Sequence, residues 1–335
     1  MGNIFAKLTH LAYHLPEKRL DNAELGVLFS MWDENKIMAK TGIKIRHIAA
    51  PQETALDLGI SAAMALLEQQ PHLRERIDAL FFCTESPDFC LPPNACIAQA
   101  RLALRNDIVA FDYSLGCSGW VYGLAFAQAH IAAGLATHVL LITAETYSKY
   151  LAEQDRSVRT IFGDGGAAVL IEASDAPHMD GFVFSTDGAG YNNLIVPASG
   201  AAVDKAICRN EEFSAEGRTP KNLYMNGPAI FQFTLECVPD LIRRCLAKSK
   251  KRMEDIDYFI FHQANEFMLK HLRSKCEIPE EKFIMDIEKF GNTVSSTIPI
   301  VLKNALCNGT IRKGDTILVV GFGVGYSSAA CIMTL

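Results

Sequence analysis

No apolar run in the 335-residue sequence reaches the roughly 18 residues that a membrane-crossing helix needs. The opening stretch, MGNIFAKLTHLAYHLPEKRL, also lacks the basic start and continuous apolar core of a secretory signal. Both absences lead us to expect a cytoplasmic chain with no membrane partner. No block of like charge exceeds a few residues and the net charge is −6, so a nucleic-acid footprint is missing as well. The basic cluster Lys248 to Arg252 reads as a solvated helix end. The ten cysteines never fall in a C-x-x-C spacing, which argues for reduced thiols rather than a disulfide frame or a zinc site, and no metal is expected.

What is present is a globular composition, 49% hydrophobic and 21% charged, on a chain long enough for two domains or one large one. Buried-strand patterns at 4–15, 77–84, 138–145 and 162–171 alternate with a Thr54-capped helix at 55–68 and helices from Ala95 and Val121. Residues 31–50 read as irregular around a Thr41-Gly42-Ile43 turn, and Asn22 opens a short helix. A segment at 172–222, richer in Asp, Gly, Ser and Pro, is the expected junction. The rhythm then returns: helices at 228–249, 266–276 and 297–308, strands at 257–262 and 316–321. This predicts a layered α/β fold built from two similar halves, residues 1–172 and 173–335.

The chain is organised around Ala110 to Trp120, where an apolar strand passes through a glycine turn into an alanine-rich helix and puts Cys117 at the helix start. A cysteine that attacks near neutrality needs its thiolate favoured by about 2 kcal/mol, and a helix N-terminus typically supplies only ~0.3–1 kcal/mol. The alternative is a small buried hydrophobe in a crowded turn. A working nucleophile therefore calls for a partner elsewhere. Two candidates stand at element junctions in the second half: His262, at the end of the strand Ile260-Phe261, and Asn292, in the polar turn Gly291 to Ser296. Taken singly, the first is an ordinary buried histidine and the second an N-cap. Together they make a Cys/His/Asn set. The same chain order occurs in papain-like proteases, but the paired motif cysteine is missing and two repeated α/β halves do not suit that fold.

The combination Thr41-Gly42-Ile43 with Arg46, Gly116-Cys117-Ser118-Gly119, Ile161-Phe162-Gly163-Asp164-Gly165, Met225-Asn226-Gly227, His262-Gln263-Ala264-Asn265, Gly291-Asn292-Thr293 and Gly321-Phe322-Gly323-Val324-Gly325 resembles the β-ketoacyl-acyl-carrier-protein synthase III family nearly end to end. That resemblance implies a thiolase-like α-β-α-β-α fold. It further implies acylation of Cys117 by an acyl thioester, with an oxyanion hole from the backbone of Cys117 and the turn at Gly323 and Val324. His262 and Asn292 would then stabilise the enolate formed as a malonyl thioester loses CO₂, giving a 3-ketoacyl thioester. Acyl-CoA and malonyl thioester are substrates, with no tightly bound cofactor, and a homodimer and an acyl carrier protein are the implied partners.

The departures fall on carrier binding. Trp32 lies one turn before the position of the family's adenine-stacking Trp, Lys40 replaces an arginine, and Arg156 matches one. Gly227, Ala264 and Asn265 complete the implied carrier-binding set. Phe267 and Gln232 replace basic docking residues, leaving Lys270, Arg273 or Lys275 to take that role. Leu91 stands where a Phe often closes the acyl pocket across the dimer, which implies room for a longer or branched acyl group. Two related chemistries stay open: acyl transfer to an alcohol or amine without decarboxylation, and a hydroxymethylglutaryl-CoA-synthase-type condensation with Glu85 as acid/base, Glu85 otherwise being a plain loop residue. A catalytically silent scaffold is the alternative outside enzymes.

Overall fold

The alternating pattern resolves, in a computed structural model describing residues 4–29, 32–203, 205–215 and 217–335, into two five-stranded mixed sheets. The first half runs β1 (Phe5–His14), β2 (Arg19–Asp21), α1 (Asn22–Leu28), α2 (Glu34–Thr41), β3 (Ile45–His47), α3 (Ala55–Gln69), β4 (Ala79–Cys83), α4 (Asn94–Arg101), β5 (Val109–Tyr113), α5 (Gly119–Ala132), β6 (His138–Glu145), α6 (Arg156–Arg159) and β7 (Gly165–Ser174). The second runs β8 (Met179–Thr186), β9 (Leu194–Ile195), β10 (Tyr224–Met225), α7 (Gly227–Ser249), β11 (Tyr258–Phe261), α8 (Glu266–Lys275), β12 (Phe283–Ile284), α9 (Thr297–Cys307), β13 (Thr316–Gly323) and β14 (Ser327–Thr334). Met1 to Asn3 and Met31, which open two stretches discussed above, lie outside the described residues.

The sheet orders are β1-β7-β6-β4-β5 and β8-β14-β13-β11-β12. In each, the first three strands pair antiparallel and the last three parallel, so every strand of one half has a counterpart in the other. Helices α5 and α9, which follow the counterpart strands β5 and β12, fill the space between the sheets. Trp120, Val121 and Leu124 of α5 and Ile298, Val301 and Leu302 of α9 share one core with Phe81 and Leu141 of the first sheet and Val319 and Cys331 of the second. Helix α3 covers the outer face of the first sheet, and α7 and α8 cover that of the second. Five layers result. Burial on both faces explains why β4 and β6 are unbroken apolar runs rather than alternating ones.

Local chemistry sets the ends. Thr54 and Asp57 form a reciprocal capping box that starts α3. Three segments differ from the sequence expectation. The stretch read as irregular contains α2, started by the Asp33 carboxylate accepting from Lys36 N–H and stopped by Gly42 at φ +68°. The presumed junction contains β8, which borders the second sheet through its ladder to β14. Beyond the last expected strand, β14 returns antiparallel to β13. All ten cysteines are free thiols. Among the described residues no helix is long and apolar enough to cross a membrane.

Candidate active site

Cys117 sits in the turn between β5 and α5, two residues before the helix, and is 5% exposed. The turn is packed too tightly for larger residues. A Cβ on Gly323 would lie 2.7 Å from Cys117 Sγ, and one on Gly116 would lie 2.4 Å from Glu85 Oε2. The backbone N–H groups of Val324 and of Cys117 itself interact with the thiol and favour its ionised form. Burial outweighs them, and the neighbouring Glu85 and Glu145 charges act in the same direction as burial. The resting thiol is therefore held well above its ordinary range. This agrees with the expectation that the helix N-terminus alone does not prepare the thiolate: burial favours the protonated thiol, and a partner base is needed to take the proton during attack.

His262 follows β11, fully buried, with its backbone N–H donating to Val320 O at 2.8 Å. Burial pushes its pKa down to about 3, so the imidazole is neutral throughout the physiological range. Its Nδ1 lies 2.7 Å from Thr297 Oγ1, and that oxygen is also 3.1 Å from Val294 O. With the hydroxyl turned to Val294 O, it accepts from Nδ1–H and Nε2 carries a lone pair. Turned to Nδ1, it leaves the proton on Nε2. One hydroxyl rotor thus selects between two neutral tautomers.

Asn292 is held by the other half of the chain: its N–H donates to Ile161 O and its carbonyl accepts from Gly163 N–H, both at 3.0 Å. Its Oδ1 accepts from Val294 N–H at 2.9 Å, which leaves Nδ2 as the group offered to the cavity. Val294 adopts φ +54°, a left-handed conformation rare for a β-branched residue. Behind this turn, the buried Arg46 guanidinium donates to Thr160 O, Asn22 Oδ1 and Ile43 O, joining the Thr41-Gly42-Ile43 turn to the loop that grips Asn292. With no carboxylate in direct contact, burial lowers Arg46 to about 9.

Cys117, His262 and Asn292 line one apolar cavity of about 430 Å³. Four further expected residues, Gly227, Ala264, Asn265 and Gly323, line it as well. Its walls include Phe162, Leu194, Met225 and Phe322. Val324 instead lines a neighbouring cavity. Trp32, Lys40 and Arg156 gather apart from the thiol, with Lys40 Nζ 4.8 Å and Arg156 Cζ 5.8 Å from the centre of the Trp32 ring. Helix α2, which carries Lys40, packs against α8, whose Phe267 and Met268 reach the cavity. Leu91 is 82% exposed and lines neither cavity of its own chain. Of the docking candidates, Lys270 is paired with Glu266 at 2.7 Å and Arg273 with Glu280 at 3.4 Å.

Sequence reasoning missed Thr297 and Val294; the signal available was the run of small polar residues after Asn292, which the fold buries entirely. Read as a loop residue, or as an acid/base candidate beside the cysteine and histidine, Glu85 lies against Gly116, and its Oε2 accepts from the Tyr147 hydroxyl.

The comparisons with known proteins agree with this geometry. Models for 3-oxoacyl-[acyl-carrier-protein] synthase III match residues 111–188, and for the C-terminal part of that enzyme residues 246–335. A β-ketoacyl-[acyl-carrier-protein] synthase III of Caldanaerobacter subterraneus subsp. tengcongensis is 36% identical over 96% of this chain and 95% of its own length. The chain belongs to the β-ketoacyl-acyl-carrier-protein synthase III family. The corresponding protein of Acaryochloris marina is 35% identical over 95% of this chain and 93% of its own. A crystal structure of a 3-oxoacyl-(acyl-carrier-protein) synthase III superposes with a TM-score of 0.94 at 45% identity, covering 99% of this chain and all of that one. The enzyme is thus a condensing acyltransferase of the thiolase-like fold, whose reaction is a decarboxylative Claisen condensation yielding a 3-ketoacyl thioester.

Proposed function

We propose that Cys117 carries the acyl group and that His262 and Asn292 serve the condensation. An acyl thioester enters the apolar cavity. Nε2 of His262 takes the Cys117 proton as Sγ attacks the carbonyl, and the N–H groups of Cys117 and Val324 hold the tetrahedral oxyanion, with Gly323 keeping that turn close to sulfur. The carrier thiol leaves with the proton, and acyl-Cys117 remains. A malonyl thioester then binds. As its C–CO₂ bond breaks, Nε2–H of His262 and Nδ2–H of Asn292 donate to the thioester oxygen that gains enolate charge. The enolate carbon attacks the acyl carbonyl, the C–S bond to Cys117 breaks, and the released thiolate is reprotonated.

The observation that carries this reading is the convergence of a thiol, a neutral imidazole and an oriented amide on one apolar cavity. Coenzyme A is the proposed donor carrier, its charged end at Trp32, Lys40 and Arg156 and its arm along Gly227, Ala264 and Asn265. An acyl carrier protein presents the malonyl group to a homodimeric enzyme working in the cytoplasm without a bound cofactor, and the homodimer would bring Leu91 of each copy to its neighbour's acyl pocket. The test is intact-mass measurement after incubation with an acyl-CoA, followed by labelled malonyl thioester. An adduct absent from Cys117→Ala, then CO₂ release with loss of the adduct, is the expected result. An adduct discharged to an amine or alcohol with no CO₂ would overturn it.

A further inference from the structure

A second cavity of about 250 Å³ flanks the Cys117 turn, and its lining is unlike the first. The first cavity is walled by phenylalanines, leucine and methionine. The second presents Glu85, Tyr147, Tyr150, Ser114 and Ser199 beside Leu194 and Val324. The two cavities share Leu194, and the adjacent residues Gly323 and Val324 line the first and the second respectively.

Glu85 is the unusual group there. Its backbone N–H is fixed by the buried Glu145 carboxyl at 3.1 Å, and the Tyr147 hydroxyl donates to Oε2. No described residue donates to Oε1, and Glu85 is only partly buried, so its carboxyl stands open to the cavity it lines. A carboxyl with one unfilled oxygen is a poor wall for a plain alkyl chain, because an apolar occupant would strip its water and return no hydrogen bond. It suits an occupant that brings a donor. The carboxyl has room there only because residue 116 is glycine, since Oε2 would lie 2.4 Å from a Cβ at that position.

We infer that the second cavity receives the acyl chain carried on Cys117 and that Glu85, with Tyr147, selects acyl groups bearing a hydrogen-bond donor a few carbons from the carbonyl, a hydroxyacyl group above all. This rests on the assignment of Cys117 as the acyl carrier and names the substrate class of that site. The hydroxyl is favoured over an amine because the other polar groups lining the cavity, Tyr150, Ser114 and Ser199, are neutral hydroxyls. A site built to bond a substrate hydroxyl discriminates strongly against the analogue lacking it, since its own polar group is then left unpaired.

The test measures acylation of Cys117 by mass spectrometry with four matched four-carbon CoA thioesters: 3-hydroxybutyryl, 4-hydroxybutyryl, 4-aminobutyryl and butyryl. The wild type should load a hydroxybutyryl group at least about 10-fold more efficiently than butyryl. Glu85→Leu should abolish or invert that preference, and the isosteric Glu85→Gln, which keeps an acceptor oxygen, should retain part of it. Preference for the amine would overturn the hydroxyl assignment. Equal loading of butyryl, or a hydroxyl preference that survives in folded Glu85→Leu, would overturn the inference while leaving Cys117 as the acyl carrier. Absence of any adduct from all four would overturn both. Should Glu85→Leu fail to fold, as judged by thermal denaturation, the wild-type panel together with Glu85→Gln and Tyr147→Phe decides.

Discussion

The two halves share one strand order and one set of crossover helices, yet their equivalent strand ends carry opposite chemistry. After β5 comes Cys117 and after its counterpart β12 comes Asn292; after β4 come Thr84 and Glu85, and after its counterpart β11 come His262 and Gln263. The first half therefore supplies the thiol and the carboxyl groups, the second a neutral imidazole and an oriented amide. The matching strand order brings corresponding loops to one place, where they present different residues. The halves are also pinned together at the site: Ser295 donates to Glu145 at 3.1 Å, and Ser118 and Ser327 hydroxyls lie 2.6 Å apart.

That division can be broken at its strongest point first. Cys117→Ala should reduce condensation on the order of 10⁴-fold or more and remove the acyl adduct. On the other side, Asn292→Ala should leave acylation of Cys117 near the wild-type rate while slowing CO₂ release by roughly 10²–10³-fold, the usual loss for one oxyanion donor. Equal losses in both steps would show that the two halves do not divide the reaction in this way. Arg46→Met, which leaves Thr160 O and Asn22 Oδ1 without the donor Arg46 supplies while Ile43 O keeps the Asn22 amide, should destabilise the fold by about 3 kcal/mol in chemical denaturation and slow decarboxylation through a loosened Asn292 loop.

A titration sharpens the comparison further. Burial raises Glu85 to about 7, so the folded state holds a proton that the unfolded chain releases near the ordinary carboxylate pKa. Its contribution to stability is present below the unfolded value and falls as pH rises toward 7. The drop in Tm between pH 5 and pH 8 should be smaller in Glu85→Gln than in the wild type, with Asp164, raised to about 6, still titrating in both. His262, lowered to about 3 from an ordinary imidazole value near 6.5, acts in the opposite sense: below about 6.5 the unfolded chain binds a proton that the folded state refuses, so its contribution rises from pH 5 toward 7 in both proteins and the Glu85 effect is read as the difference between them. The smallest effect is expected at Lys40→Ala, a few-fold rise in KM for acyl-CoA with kcat kept, because an exposed charge beside Trp32 contributes roughly 0.5–1 kcal/mol.

Much of this was readable in the residues. Cys117 and His262 stand out because each follows an apolar strand at an element junction, and Asn292 because it opens a polar turn before a helix, patterns that survive without three-dimensional information. Strands β4 and β6 are equally plain, being buried on both faces. The losses have physical causes. Helix α2 is short and polar, held by its caps rather than by an apolar stripe. Strand β8 begins inside an Asp- and Gly-rich segment, and β14 is rich in Ser and Ala. The protonation of Cys117 depends on solvent exclusion by residues more than a hundred positions away, and the place of Glu85 depends on a loop folding back beneath Gly116. Neither leaves a local mark.

Strand β14 gives the fold a timetable. It lies between β13 and β8, so β8, made more than halfway along the chain, has no ladder partner in its sheet until Ser327 to Thr334 have been synthesised. The turn that approaches Cys117, at Gly323 and Val324, also comes at that late stage. The first sheet draws on no strand beyond Ser174, whereas the second sheet and the turn beside the Cys117 thiol are both completed by the last strand pair of the chain.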